Sequence, residues 1–190
     1  YRNVMTKLEI SDQKVALNLA PYETILWMTK PYEEMKVMEN DALYEFSKKK
    51  EWDKKEIKQE WSVSYSDSFS YPEFELPLNQ AETVQDIEGW GKASGTLQYE
   101  TIINIQAKDQ TVLEIENAYE TVEVFVNRKS AGVRLSKPYR FDISDFLEDG
   151  KNKLAIEVTN TLGTTIRDAI SHYLPIEPFG IDGEIILYQK

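Results

Sequence analysis

The chain has 190 residues, 41% hydrophobic and 29% charged, a composition that suits a folded core in one large domain or in one domain with a small appendage. Its formal net charge of −11 argues against nucleic acid or an anionic membrane as a partner, because both are bound through clusters of Lys and Arg. The absence of cysteine excludes disulfides, thiolate metal sites and cysteine nucleophiles, and it fits a cytoplasmic protein as well as an exported bacterial one.

The N-terminal part, residues 1–40, is predicted to be a small β element. The chain begins at Tyr1 with no apolar signal segment, so we expect it to be part of a longer protein. Apolar residues then alternate at 8–10 and 15–19 and again at Ile25 and Trp27, which is typical of three short antiparallel strands. Three such strands bury too little surface to be stable alone. We therefore expect this element to pack on the main domain or to be the tail of a preceding one.

Residues 41–60 are predicted to be a charged linker, and a helical one. The stretch EFSKKKEWDKKEIKQE (45–60) is dense in Lys and acidic residues of nearly balanced charge. The pairs Glu45–Lys49 and Glu51–Lys55 have the i,i+4 spacing that stabilises a solvated helix.

Residues 61–190 are predicted to form one β-sandwich. Short runs of strand character occur at GTLQYETIINI (95–105), TVEVFVN (121–127) and KLAIEVTN (153–160), and no helix-length pattern separates them. Within DISDFLEDGKN (142–152), we expect Ser144 to cap a single helical turn that Gly150 ends.

The stretch VEVFVNRKSAG (122–132) is predicted to be a hairpin. Three valines at alternate positions, Val122, Val124 and Val126, are expected to face the core. Asn127 and Arg128 are expected to form the turn, with Gly132 able to accommodate a bulge instead.

Five motifs in order give the chain a family resemblance. They are GW (89–90), SGTLQYETIINI (94–105), LEIENAYETVEVFVNRKSAG (113–132), PYRFDISDFLEDGKNKLAIEVTNT (138–161) and FGIDGEIIL (179–187). This order resembles the galactose-binding-like jelly-roll domains of bacterial glycoside hydrolases, similar to the sugar-binding domain of glycoside hydrolase family 2 and to domains of large rhamnosidase-type enzymes. Arg128 departs from the pattern, which usually has a turn glycine there. The resemblance implies an all-β galactose-binding-like sandwich (jelly roll) with an accessory role.

Two regions are candidates for carbohydrate binding, because a sugar is recognised by an aromatic face beside hydrogen-bonding groups. Trp90 lies between two glycines, as in an exposed loop, although it could equally plug the sandwich edge. The polar loop at 160–175 follows a core strand and is expected at one rim of the sandwich. Its candidate residues are Asn160, Arg167, Asp168, His172 and Tyr173. Arg167 and Asp168 could instead brace the loop.

No residue is assigned a catalytic role. The 33 acidic residues guarantee carboxylate pairs by chance, and none stands out. His172 is the only histidine, which argues against a zinc site. A structural calcium ion remains an open possibility from the resemblance. The candidate ligands by residue type are Asp142, Asp145, Asp149 and Asp182.

The sequence as a whole favours a non-catalytic accessory module of a bacterial glycoside hydrolase, either structural or weakly carbohydrate-binding. The expected partners are carbohydrate and the other domains of the parent enzyme, with no nucleic acid and no membrane. Two alternatives stay open, a dedicated carbohydrate-binding module for neutral glycans and, less favoured, a catalytic glycosidase domain.

Overall fold

A computed structural model describes residues 52–78, 93–107, 110–164 and 178–190 of the chain. The small β element predicted for residues 1–40 lies outside these ranges, as does the first part of the predicted linker. Among the described residues, no helix is long and apolar enough to cross a membrane.

The regular secondary structure of the described residues is almost entirely β-strand. The strands are β1 (Asp53–Glu56), β2 (Ser62–Asp67), β3 (Glu75–Leu78), β4 (Gly95–Ile105), β5 (Thr111–Ile115), β6 (Ala118–Tyr119), β7 (Thr121–Val126), β8 (Lys129–Arg134), β9 (Tyr139–Asp142), β10 (Gly150–Thr159), β11 (Gly180–Ile181) and β12 (Ile185–Gln189). Single 3₁₀ turns occur at Ser144–Phe146 and Leu162–Thr164.

The strands form two main antiparallel sheets. The larger sheet has the order β3-β2-β4-β10-β7-β8, the smaller has the order β1-β12-β5-β9, and β11 and β6 form a separate short pair. One hydrophobic core contains side chains from both main sheets. The predicted all-β sandwich is therefore confirmed.

The core consists of the alternate residues that point inward from each strand. Val122, Val124 and Val126 are fully buried, as predicted for this hairpin, and they meet side chains such as Leu113 and Phe141 from the smaller sheet. Burial of each such side chain stabilises the folded state by about 1.5–3 kcal/mol. The alternating apolar residues therefore hold the two sheets together.

The helix predicted within residues 41–60 is wrong where the structure describes that stretch. Residues 53–56 form strand β1, which pairs with β12 from Asp53↔Gln189 to Glu56↔Ile186. Ile57, the next residue, is buried in the core. Helical i,i+4 charge pairs contribute only a few tenths of a kcal/mol each. The backbone hydrogen bonds between β1 and β12 and the burial of Ile57 contribute more, so the strand forms instead of the helix. The sandwich therefore begins before residue 61.

The charges that suggested a helix suit an edge strand equally well. The Asp53, Lys54 and Lys55 side chains of β1 are exposed, and among the described strands β1 lies at one end of the smaller sheet. Charged side chains on an edge strand discourage pairing with another molecule.

The predicted cap of the turn at residues 144–146 is also wrong. Ile143 occupies the N-cap position, and the Ser144 hydroxyl donates to Asp142 Oδ1 (2.6 Å) and accepts a hydrogen bond from the Thr111 amide (2.8 Å). Gly150, with φ of 97°, begins β10 rather than ending the turn. Asp142, two residues before Ser144, also accepts from the Ser144 amide (3.0 Å), and this local hydrogen bond displaces the expected cap.

Two asparagines hold together the end of the sandwich where β7 stops and β10 starts. Asn127 Nδ2 donates to Asn152 Oδ1 (2.8 Å) and to the Phe146 carbonyl oxygen (3.0 Å). Asn152, which is fully buried, also bonds the Glu148 amide and carbonyl (2.8 and 2.7 Å). This pair, the asparagine network, satisfies buried polar groups that would each cost about 1–3 kcal/mol if left unpaired.

The β7–β8 hairpin contains both the left-handed turn and the bulge that its sequence suggested. Asn127 and Arg128 have φ of 50° and 68°, so the turn is a two-residue left-handed one. The register then shifts between Val124↔Gly132 and Phe125↔Ser130, which leaves Ala131 as a bulge. The bulge does not remove the left-handed backbone at Arg128.

Replacing Arg128 by glycine should stabilise the protein by about 1 kcal/mol, because a left-handed backbone penalises a residue with a Cβ atom. Denaturant unfolding of the Arg128→Gly variant would measure this change. Lys129→Gly is the matched control, since Lys129 is an exposed strand residue, and it should lower stability by about 0.5–1 kcal/mol. Equal destabilisation in both variants would contradict the expected strain at Arg128.

Candidate functional site at the Phe69 rim

Three loops meet at the end of the sandwich opposite the asparagine network. We call this end the Phe69 rim and define it as residues 67–71, 93–95 and 160–164. The Ser68 amide donates to the Ser94 carbonyl oxygen (3.2 Å), and the Ser94 hydroxyl donates to the Thr161 carbonyl oxygen (3.0 Å). These bonds join loops that are far apart in sequence, so the rim is one structural unit.

Asn160 is the one sequence-predicted site residue that the structure describes. Its Oδ1 accepts from the Gly95 amide (2.9 Å), and its Nδ2 donates to the Ala93 carbonyl oxygen (2.8 Å). Asn160 therefore lies at a rim, as its loop was predicted to, but its amide group is engaged by backbone. This geometry makes Asn160 a brace of the rim.

The other predicted site residues lie outside the described residues. They are Trp90, Arg167, Asp168, His172 and Tyr173. Their proposed role in carbohydrate binding therefore stays a prediction.

Gly95 permits the closest backbone approach in the rim. A Cβ atom at Gly95 would clash with the Ser66 carbonyl oxygen and lie 2.9 Å from Asp67 Cα. Gly95 pairs with Asp67 across β4 and β2, and it also bonds Asn160. Only a residue without a side chain lets the three loops meet here.

Asp67 organises the loop that follows β2. Its Oδ1 accepts from the amides of Phe69 (2.7 Å) and Ser70 (3.1 Å), and its Oδ2 accepts from the Ser70 hydroxyl (2.7 Å). An aspartate that bonds the backbone two residues ahead forms an Asx turn. The turn directs the Phe69 side chain into solvent, where it is 93% exposed.

Further apolar groups share this rim and its loop. Tyr71 is 49% exposed and Leu162 is 44% exposed. The ring of Phe74 meets that of Tyr71 edge-on, with centroids 6.0 Å apart. Sequence reasoning missed these residues because residues 67–91 showed no strand period. The signal that could have found them is SFSYPEF (68–74), in which aromatic residues are interspersed with serines and a proline.

Tyr71 crosses from the loop onto the outer face of the larger sheet. Its hydroxyl donates to Glu157 Oε2 (2.9 Å), while Gln98 Nε2 donates to Glu157 Oε1 (2.9 Å). Glu157 is 8% exposed, so a carboxylate that would be costly to bury is satisfied at both oxygens. The bond fixes the Tyr71 hydroxyl against the larger sheet at this rim.

A second carboxylate faces Glu157. Glu123 pairs directly with Glu157 across β7 and β10, and its Oε1 accepts from the Ser130 hydroxyl (2.7 Å). Partial burial, the hydrogen bond to Glu157 and the negative charge of both glutamates together raise the pKa of Tyr71 to about 12. The Tyr71 hydroxyl thus stays a donor throughout the physiological pH range.

Three of the four aspartates named as calcium candidates bond different groups, and Asp145 is an exposed residue of the 3₁₀ turn. Asp142 bonds Ser144, Asp149 accepts from the Ala107 amide (2.8 Å), and Asp182 accepts from Asn117 (3.3 Å). Within the described ranges, no group of three or more acidic or histidine side chains is placed to hold a metal ion.

Comparison with known proteins finds likeness in structure alone. No protein-family profile matches the sequence, and no curated protein matches it. A rhamnosidase from Novosphingobium sp. PP1Y aligns with a TM-score of 0.56 at 20% identity, over 72% of this chain and 15% of that chain. A GH2 β-galacturonidase from Eisenbergiella tayi aligns with a TM-score of 0.54 at 16% identity, over 74% of this chain and 25% of that chain.

A β-glucuronidase from Bacteroides uniformis gives a TM-score of 0.51 at 19% identity, over 73% of this chain and 18% of that chain. Such low identities concern the fold. The chain thus spans a quarter or less of the length of each of these three proteins.

Gly95→Ala should destabilise the protein by about 1–3 kcal/mol, because the added methyl group meets backbone that cannot move without separating β2 from β4. Thermal or denaturant unfolding measures this. Gly163→Ala is the matched control at an exposed rim position, where the nearest atom to the new Cβ is Thr161 Oγ1 at 3.3 Å, and it should change stability by less than about 0.5 kcal/mol. Similar effects at the two glycines would refute the close approach.

Tyr71 gives a prediction for alkaline pH. Its folded pKa lies above the ordinary value of 10.0, so the unfolded chain ionises first and stability should fall as pH rises from about 10 towards 12. Tyr71→Phe should lose less stability over this range than the unaltered protein, because one of the titrating groups is gone. Tyr99, whose pKa burial also raises to about 12, should account for part of the remaining fall. Unfolding curves at several alkaline pH values would test this, and identical pH profiles for the two proteins would contradict it.

Proposed function

We propose that this chain is a non-catalytic accessory module, of the galactose-binding-like type, from a bacterial glycoside hydrolase. The observation that carries the proposal is the partial match to larger proteins. The three solved structures are named as glycosidases, and the chain aligns with only 15–25% of their length. A module-sized match is what an accessory domain would give.

The geometry of the carboxylates supports a non-catalytic role. A glycosidase uses two carboxyl groups that flank the sugar, one of which exchanges a proton. Glu157 and Glu123 are the facing pair on β10 and β7, but Glu157 has both oxygens engaged by Tyr71 and Gln98. Glu157 thus holds Tyr71 in the rim, while Glu123 accepts a hydrogen bond from the Ser130 hydroxyl.

A second candidate function is carbohydrate binding by the module itself. It is favoured by the Phe69 rim, where a fixed turn presents an almost fully exposed aromatic ring. In the first candidate the neighbouring domains of the parent enzyme are the partners, and in the second the partner is a glycan.

The reading frame that encodes Tyr1–Lys190 tests the module assignment directly. We expect the same frame to encode a glycosidase catalytic domain beside this chain. A frame whose other domains have no part in carbohydrate chemistry would overturn the proposal.

An activity assay is the second test. The purified chain should release no nitrophenol from a panel of nitrophenyl glycosides. Turnover that disappears in Glu157→Gln would instead support the catalytic alternative. Glu75→Gln, which alters an exposed acidic residue, serves as the matched control.

A further inference from the structure

Hydrogen bonds fix the loop that exposes the Phe69 ring to solvent. Two backbone amides and one hydroxyl converge on the Asp67 carboxylate, and the Ser68 hydroxyl donates to the Ser94 carbonyl oxygen (2.8 Å). The loop is therefore tied both to itself and to the neighbouring loop. A loop whose backbone is already fixed loses little further conformational freedom when a ligand covers its exposed ring.

The surroundings of Phe69 combine apolar surface with hydrogen-bonding groups. Leu162 lies on the same rim, and the half-exposed Tyr71 ring is fixed by its bond to Glu157. Ser68 and Ser70 flank Phe69 in the chain; their hydroxyl hydrogens are donated to Ser94 and Asp67, so each oxygen can serve a ligand as an acceptor. A pyranose ring has a matching character, since one face presents C–H groups and the edge presents hydroxyls.

Acidic side chains lie close to Phe69 in the chain. Asp67 is ionised in its turn, and the exposed Glu73 and Glu75 follow Phe69 within the same segment of chain. The whole chain carries a net charge of −11. Uronic acids and sulfated sugars would be repelled by these carboxylates, whereas a neutral sugar would not.

We infer that Phe69 is the stacking platform of a neutral-saccharide site at the rim that also contains Tyr71 and Leu162. The inference rests on the proposed function for its class of ligand, and it extends that function by naming the residue and the chemistry. The Asp67 turn is the element that keeps the platform in place.

Calorimetric titration of the 190-residue chain would test the site. The probes are neutral tetrasaccharides of β-1,4-linked glucose, xylose, mannose and galactose, with an oligogalacturonate as the acidic comparator. We expect millimolar or tighter binding of at least one neutral probe and weaker binding of the acidic one.

Four variants define the platform. Phe69→Ala should weaken binding by roughly tenfold or more, while Phe69→Tyr should retain it. Asp67→Ala should weaken binding to a lesser degree, because the ring remains but its position is no longer fixed. Ile102→Ala is the matched control, since Ile102 is an exposed apolar residue (61%) on the part of β4 away from the rim, and it should bind as the unaltered chain does.

Three results would overturn the inference: no binding of any neutral probe, binding that survives Phe69→Ala, or tighter binding of the acidic probe. Unfolding midpoints of all four variants would accompany the titrations, and Phe69→Ala should match the unaltered chain because the ring is outside the core.

The outcome is separable from that of the proposed function. If a glycosidase domain lies in the same reading frame but no sugar binds, the accessory role stands and the saccharide site falls. If binding depends on Phe69 but the reading frame has no glycosidase, the site stands and the accessory role falls.

Discussion

The fold depends on strand β10, which is paired along both edges and buried on its inner face. It pairs with β4 along all ten of its residues and with β7 from Leu154 to Thr159. Its inward side chains Leu154, Ile156 and Val158 are fully buried. An asparagine fixes each end, since Asn152 bonds the loop that precedes it and Asn160 bonds the start of β4. The flanking strands and loops take their positions from this one strand.

This arrangement gives the two ends of the sandwich different characters. At one end the asparagine network closes the structure with buried hydrogen bonds, and the left-handed turn at Asn127 and Arg128 completes it. At the other end Asn160 bonds the backbone of Ala93 and Gly95, and the Asp67 turn leaves the Phe69 ring in solvent. Both ends are therefore held by side-chain amides, but only the Phe69 rim exposes a large aromatic side chain almost fully among the described residues.

Much of the fold could be predicted from the sequence, because its strands alternate regularly. The alternation at Val122, Val124 and Val126 identifies the inner face, and Asn127 is a residue that tolerates a left-handed backbone. The error at residues 53–56 has a physical origin. Helical charge pairs are visible in sequence, whereas the partner strand β12 lies over 120 residues away and leaves no local signal.

The rim was harder to predict, since its features depend on side chains that bond backbone. The loop that begins at Asn160 was expected at a rim. Nothing in the local sequence indicates that the Asn160 side-chain amide bonds Ala93 and Gly95 instead of facing solvent. Phe69 was missed because its exposure results from three hydrogen bonds to Asp67, a pattern that hydrophobic periodicity does not report. Those same bonds from Ser70 and Phe69 hold the pKa of Asp67 below its ordinary value. The carboxylate thus keeps its charge at an acidity that would neutralise a typical aspartate, and its contribution to the turn is lost only as the pH falls through that lowered pKa. The Asp67 turn should therefore persist at a pH low enough to protonate a typical aspartate.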